Sequence, residues 1–310
     1  MKTLRVTLFL LAAIIPAIAD HPVLAPTAPG VTLNVWPDGK MPGHGAPKPE
    51  EITPPNSDNV IHVNNVSTPT LTLYKAPGAS SPAPAMIVCP GGGYGTLAYN
   101  KEGTEISAWL NSLGITAVVL KYRVPGNRDG AFEDIERAMR VVRSHASEWS
   151  INPDKLGIIG FSAGGHLCAR LSTNYDEAAY SPIDDIDKLS AKPTFVALIY
   201  PAYLAKKLPP NKKPGETAPP PIPDDPDFKT VATELKISAA IPPTFIAQAE
   251  DDRSFIMGTK AYFAALQAAK VPSDFAVYPK GGHGYGLRSD SDVKNWPDRC
   301  AAFLKQQGVL

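Results

Sequence analysis

Short apolar runs alternate with amphipathic segments along most of the chain after about residue 70. The run from Met86 to Cys89 stops at Pro90, as buried strands commonly do. Residues 104–113 follow with apolar side chains at helical spacing, and Gly114 stands where a helix-ending glycine is expected. This alternation predicts an α/β fold with a mostly parallel central sheet and helices on both faces.

The same patterns predict the remaining elements. An early edge strand is expected at residues 31–35, and further strands at 115–120, 156–161, 195–200, 244–249 and 275–278. Helices are expected at residues 131–149, 163–172 and 258–269, with a closing helix around Phe303. The helix at 131–149 carries a row of arginines opposite its apolar stripe, which predicts a solvated face.

The N-terminus has the pattern of an export signal. Basic residues stand within the first five positions, residues 6–15 carry no charge, and Ala17-Ile18-Ala19 is a small-x-small cleavage site. A membrane anchor is the alternative, but this stretch is short against the ~20 residues that a span needs. We therefore expect a signal peptide at residues 1–19 and a mature protein, free of the membrane, that is periplasmic or secreted.

What remains, residues 20–310, has the length of one large α/β domain. A Pro-rich insertion at about residues 204–230 interrupts the alternation between two predicted core strands. It lies on the side where catalytic loops gather, so a lid or substrate wall and a plain surface loop are both open interpretations.

Charge and cysteine content exclude several kinds of binding. The chain has 30 basic and 30 acidic residues, which leaves no broad positive field for nucleic acid or an anionic membrane. Its three cysteines show no C-x-x-C spacing, which makes a metal site unexpected. Cys89 and Cys168 are expected to be small buried hydrophobic residues.

One motif predicts a nucleophile. Residues 160–164 read Gly-Phe-Ser-Ala-Gly, which fits G-x-S-x-G between a predicted strand and a predicted helix. In this context a strained turn lifts the Ser162 hydroxyl above the edge of the sheet. The sequence therefore predicts an α/β-hydrolase fold with Ser162 as its nucleophile.

A glycine-rich loop, Pro90 to Gly95, follows an earlier strand. In enzymes of this type such a loop donates backbone N–H groups to the developing oxyanion. We assign the oxyanion hole to Gly92 and Gly93, with the N–H of Ala163 as the other donor. A dinucleotide or phosphate loop is the alternative, but neither G-x-G-x-x-G nor G-K-[ST] follows.

The general base and its orienting acid should follow the serine in the chain. His283 stands between glycines directly after a predicted strand, whereas His166 lies one helical turn beyond Ser162 and is expected to pack there. The acid should follow a strand between serine and histidine, which points to residues 250–252. Counting back from the following helix favours Asp251, and Asp252 remains the alternative. The predicted chemistry needs no metal or organic cofactor.

With these residues in place, the chain resembles secreted bacterial α/β-hydrolase esterases grouped with acetylxylan esterases and other carbohydrate acyl esterases. The resemblance rests on residues 89–94, 120–125, 160–167, 249–252 and 281–286. Two positions depart from the usual pattern: Pro90 replaces the histidine of H-G-G-G, and Arg253 stands where valine is usual.

The resemblance implies a serine esterase that deacylates, and in particular deacetylates, small-molecule or polysaccharide esters. A peptidase of the prolyl-oligopeptidase type shares the order of catalytic residues, although a preceding propeller does not fit in 310 residues. A binding protein that keeps the fold without catalysis is the other alternative. The sequence leaves the natural substrate and the oligomeric state open.

Overall fold

The computed structural model describes residues 28–55, 57–78, 82–205 and 230–310. The predicted signal peptide and most of the predicted Pro-rich insertion lie outside these residues. The strands are Thr32–Asn34 (β1), Glu51–Thr53 (β2), His62–Asn64 (β3), Thr70–Tyr74 (β4), Ala83–Cys89 (β5), Leu97–Ala98 (β6), Thr116–Lys121 (β7), Ile151–Phe161 (β8), Val196–Ile199 (β9), Thr244–Ala249 (β10) and Ser273–Tyr278 (β11). The α-helices are Glu105–Ser112 (α1), Arg128–Ser144 (α2), Ala146–Trp149 (α3), Ala163–Asn174 (α4), Ile256–Ala268 (α5) and Trp296–Gln306 (α6).

The larger sheet has eight strands in the order β1-β4-β7-β5-β8-β9-β10-β11. β1 pairs antiparallel with β4, and β4 pairs antiparallel with β7. The other pairs of this sheet are parallel: β7-β5, β5-β8, β8-β9, β9-β10 and β10-β11. Strands β5 and β10 read as nearly continuous apolar runs because helices cover both of their faces. The mostly parallel sheet that the sequence predicts is thus present.

Two hydrophobic clusters fill the space between the sheet and its helices. Successive residues of β5 enter opposite clusters: Ile87 packs on the side of α2, α4 and α5, and Val88 on the side of α1 and α6. The three cysteines are buried, as expected for Cys89 and Cys168. Because the carboxyl ends of the parallel strands lie along one edge, the loops after β5, β8, β10 and β11 meet there.

The helix predicted at residues 131–149 differs from the prediction in two respects. It begins earlier, at Arg128, because the side chain of Asn127 accepts a hydrogen bond from Gly130 N and caps the first turn. It is also interrupted at His145, after which α3 forms a separate turn. Periodicity alone does not locate such caps and breaks.

The prediction that the arginines of α2 face solvent is wrong in part. The guanidinium of Arg137 is 1% exposed and pairs with Asp184 and Asp187. The segment that carries these aspartates packs across this face of α2. Since the segment comes from some fifty positions further along the chain, the helical pattern of α2 contains no sign of it.

A second sheet of three short antiparallel strands, β2-β3-β6, was not predicted. It brings the early Pro-rich part of the chain against residues 97–98, immediately after the glycine-rich loop. Over the described ranges, no helix combines the length and the apolar character needed to cross a bilayer.

Candidate active site

Ser162 lies at the carboxyl end of β8, directly before α4. Its backbone has φ 50° and ψ −115°, a strained conformation for a residue other than glycine. Its carbonyl accepts hydrogen bonds from His166 N and Ala202 N, which fix the turn. The side chain is thereby held at the edge of the sheet, and the residue is 9% exposed.

His283 approaches Ser162 from a loop that follows β11. Its Nε2 lies 2.7 Å from Ser162 Oγ, although the two residues are 121 positions apart in the chain. The imidazole side chain is 31% exposed, so one side of it faces solvent. Of His166 and His283, the structure therefore brings His283, the predicted base, to the serine.

The predicted contact between Asp251 and His283 is wrong, and Asp252 makes it instead. Asp252 Oδ2 lies 2.6 Å from His283 Nδ1, and this aspartate is 4% exposed. Asp251 is exposed, and its Oδ1 accepts a hydrogen bond of 2.8 Å from Gly282 N. The backbone turns after β10, where Asp252 N donates to Ala249 O, and this turn directs Asp252 inward. Both carboxylates thus hold the histidine loop, but only Asp252 contacts the imidazole.

Two polar residues that the sequence analysis missed support Asp252. Gln248 Nε2 donates to Asp252 Oδ2 at 2.6 Å, and Thr259 Oγ1 donates to Gln248 Oε1 at 2.8 Å. All three side chains are buried. The available signal was a glutamine within the mostly apolar strand β10, because a buried amide needs hydrogen-bond partners.

The glycine-rich loop lies against Ser162. A Cβ added to Gly91 would lie 2.8 Å from Ser162 Cβ, so backbone and nucleophile approach closely here. The N–H of Gly91 donates to Glu102 Oε2 at 2.7 Å. The N–H groups of the predicted donors Gly92, Gly93 and Ala163 have no acceptor within the described ranges.

A chain of hydrogen bonds, buried except at Glu234, connects this loop to α4. Tyr94 Oη and His166 Nδ1 lie 2.8 Å apart, and His166 Nε2 lies 3.1 Å from Glu234 Oε1. Burial lowers the pKa of His166, and the hydrogen bond with His166 lowers the pKa of Glu234 to about 2. A neutral imidazole that accepts from Tyr94 and donates to Glu234 satisfies every group. His166 therefore packs on α4, as expected, and also joins two parts of the site.

Removing the hydroxyl of Tyr94 should destabilise the protein because the buried His166 Nδ1 would lose the one donor that the described residues provide. We expect Tyr94→Phe to lower the free energy of unfolding by about 1–2 kcal/mol, measured by urea denaturation. The control is Tyr175→Phe, whose hydroxyl makes an exposed contact of 3.3 Å with Ala240 O and should contribute less than about 0.5 kcal/mol. Equal losses in the two variants would contradict this account.

Two aromatic side chains extend outward from the imidazole of His283. Phe255 packs on His283 with ring centroids 4.9 Å apart, and Tyr203 packs on Phe255 at 5.5 Å. Tyr203 and Phe255 are partly exposed, in contrast to Tyr122 and Trp296, which are fully buried. The partly exposed pair therefore forms a wall beside the reactive groups.

Comparison with known proteins identifies related sequences. The family model BD-FAE matches residues 71–200. An acetylxylan esterase of Xylanibacter ruminicola is 35% identical over 214 residues, which is 66% of this chain and 41% of that protein. The chain thus spans about two fifths of the length of this relative. The resemblance to the acetylxylan esterase group that the motifs indicate is confirmed.

Solved structures match over most of the chain. An acetyl ester-xyloside bifunctional hydrolase from Caldicellulosiruptor lactoaceticus has 29% identity and a TM-score of 0.70, with 92% of this chain and 98% of that chain covered. An α/β hydrolase from a Medee basin deep-sea metagenome library has 25% identity and a TM-score of 0.60, with 86% and 100% covered. The predicted α/β-hydrolase fold is therefore confirmed.

Proposed function

We propose that this α/β hydrolase is a serine carboxylic ester hydrolase that removes acetyl groups from carbohydrate esters. The observation that carries the proposal is the continuous contact from Ser162 Oγ through the imidazole of His283 to Asp252 Oδ2, with separations of 2.7 and 2.6 Å. Nucleophile, base and orienting acid at hydrogen-bond distance are what acyl transfer through a serine requires.

In the proposed mechanism, His283 Nε2 takes the proton of Ser162 Oγ while the oxygen attacks the ester carbonyl carbon. Asp252 holds the imidazole through Nδ1 and stabilises its positive charge. The imidazolium then gives its proton to the departing alcohol oxygen, which leaves an acetyl group on Ser162. Water, deprotonated by His283, attacks this acyl group, and acetate is released as the serine regains its proton.

The N–H groups of Gly92, Gly93 and Ala163 are the proposed oxyanion donors. They are free of acceptors within the described ranges, and the loop approaches the serine closely. Donors fixed before the reaction stabilise the charge that develops on the carbonyl oxygen without the cost of reorganising solvent.

The proposed substrate is an acetylated plant or algal carbohydrate. The relative of X. ruminicola is named for acetylxylan, and the structure from C. lactoaceticus for acetyl ester and xyloside. Tyr203 and Phe255 offer partly exposed rings beside His283, against which the apolar face of a sugar can pack. The N-terminal pattern of residues 1–19 supports export of the protein to the compartment where such polymers are found.

The test measures acetate released from acetylated xylan and p-nitrophenol released from acetate, butyrate and octanoate esters. We expect acetate release and a preference for the acetyl ester, both abolished once a fluorophosphonate has modified Ser162, as located by peptide mass. Cleavage of prolyl peptides without ester hydrolysis would favour the peptidase. A folded protein without either activity would favour a binding protein.

A further inference from the structure

A buried carboxylate outside the proposed triad lies beside the glycine-rich loop. Glu102 belongs to a wide helical turn at residues 100–104 and is 4% exposed. A Cβ added to Gly91 would lie 2.6 Å from Glu102 Oε2 and 2.8 Å from Ser162 Cβ, so the carboxylate shares the small space next to the serine. The described residues contain no ion-pair partner within 4 Å of it. An acidic group in such a place needs an explanation, because burying a charge is costly.

Glu102 joins three segments of the site. Its Oε2 accepts the N–H of Gly91 at 2.7 Å, and its Oε1 accepts the O–H of Tyr200 at 2.8 Å. Tyr200 follows β9, and its hydroxyl in turn accepts the N–H of Gly286 at 2.9 Å. Gly286 lies three residues beyond His283. One carboxylate thus connects the glycine-rich loop with the end of β9 and the histidine loop.

The hydrogen bonds favour the anionic form of Glu102. Each carboxylate oxygen receives one donor, and the Tyr200 hydroxyl, which already accepts from Gly286, has its own proton to donate. A proton on Glu102 would face one of these donors. Burial raises the pKa of Glu102 above its ordinary value, and the hydrogen bonds from Tyr200 and Gly91 oppose this rise. Four titratable groups face it from the surrounding elements: Lys101, Tyr122, Tyr200 and His283.

We propose that Glu102 is a positioning residue for the esterase reaction. It holds Gly91, and with it the N–H groups of Gly92 and Gly93, in the place where the oxyanion forms. Its negative charge also stabilises the imidazolium of His283 that exists only during proton transfer. This inference rests on the proposed function and adds a second acid that does not touch the imidazole.

The test compares Glu102→Gln with the wild-type enzyme on p-nitrophenyl acetate. Glutamine keeps the shape and one acceptor but removes the charge. We expect kcat to fall about 10- to 100-fold with KM nearly unchanged, because the lost interactions act in the transition state. The acid limb of the pH profile of kcat/KM should move to lower pH, because the variant lacks the negative charge that stabilises the imidazolium.

The matched control is Glu105→Gln. Glu105 is also buried and lies one turn further along the chain, but it pairs with Arg288. Its replacement should lower thermal stability and leave the acid limb in place. A wild-type value of kcat and an unmoved acid limb in Glu102→Gln would overturn the proposal, as would an equal movement in Glu105→Gln.

Two further measurements apply if Glu102→Gln does not fold or if the wild-type protein is not an esterase. If Glu102→Gln does not fold, Tyr200→Phe removes one hydrogen bond and retains the charge, and kcat should fall about 3-fold or more with KM unchanged. An unchanged kcat in that variant would overturn the proposal. If the wild-type protein hydrolyses no ester, the proposed function fails. The pH dependence of Ser162 phosphonylation then tests Glu102 separately, with the same movement expected.

Discussion

Replacing Asp252 with asparagine should lower kcat for p-nitrophenyl acetate about 10⁴-fold, with little change in KM. The carboxylate accepts a hydrogen bond from His283 Nδ1 at 2.6 Å and one from Gln248 Nε2, also at 2.6 Å. Both bonds end on the same oxygen, Oδ2. An asparagine with its amide oxygen at this position keeps both bonds but lacks the negative charge that stabilises the imidazolium. An asparagine with its NH₂ there faces Nδ1 and favours the tautomer with its proton on Nε2, which cannot accept the proton of Ser162.

Asp251→Asn is the control, since it changes the same chemical group one position away. Within the part of the chain that the structure describes, Asp251 accepts the N–H of Gly282 alone, and an amide oxygen can accept the same bond. We expect kcat within about 10-fold of the wild-type value, because the imidazole keeps its partner. If the same assay showed a larger fall in kcat for Asp251→Asn than for Asp252→Asn, Asp251 would be the triad acid.

Gly92→Ala should have the second largest effect, a fall in kcat of about 10²- to 10³-fold. Gly92 has φ +133°, and a Cβ there would lie 2.1 Å from the carbonyl oxygen of Thr96. The clash is with backbone, so the loop must shift and the proposed oxyanion donors with it. Initial rates on p-nitrophenyl acetate and a thermal unfolding curve measure the activity and the fold separately.

Gly95→Ala provides the comparison within the same loop. Its added Cβ would meet no heavy atom closer than 3.6 Å, and its φ lies outside the left-handed region. We expect kcat within about 3-fold of wild type and unchanged thermal stability. If Gly92→Ala were equally active, the glycine-rich loop would not provide the oxyanion donors.

Much of the fold could be predicted because its signals are local. The strand predicted at residues 244–249 coincides with β10, and the edge strand predicted at 31–35 contains β1. In both cases an apolar or alternating run is bounded by residues that stop a strand. Ser162 and His283 could be predicted for a related reason, since each occupies a glycine-flanked position directly after such a run.

The parts that were missed depend on contacts between distant segments. Whether Asp251 or Asp252 faces His283 is decided by the direction of the chain after β10, which residue spacing does not encode. The burial of Arg137 depends on Asp184 and Asp187, which belong to a segment with no periodic pattern. Glu102 was missed because its partners Gly91 and Tyr200 come from two other elements.

The position of His283 after β11 has a consequence for how activity is acquired. Among the described residues, β11 is the last strand and forms one edge of the larger sheet, where it pairs with β10 alone. Ser162 and the glycine-rich loop follow β8 and β5 in the middle of the sheet, whereas the base follows the edge strand β11. During refolding, recovery of catalysis therefore requires β11 to be paired with β10, in addition to formation of the core around Ser162.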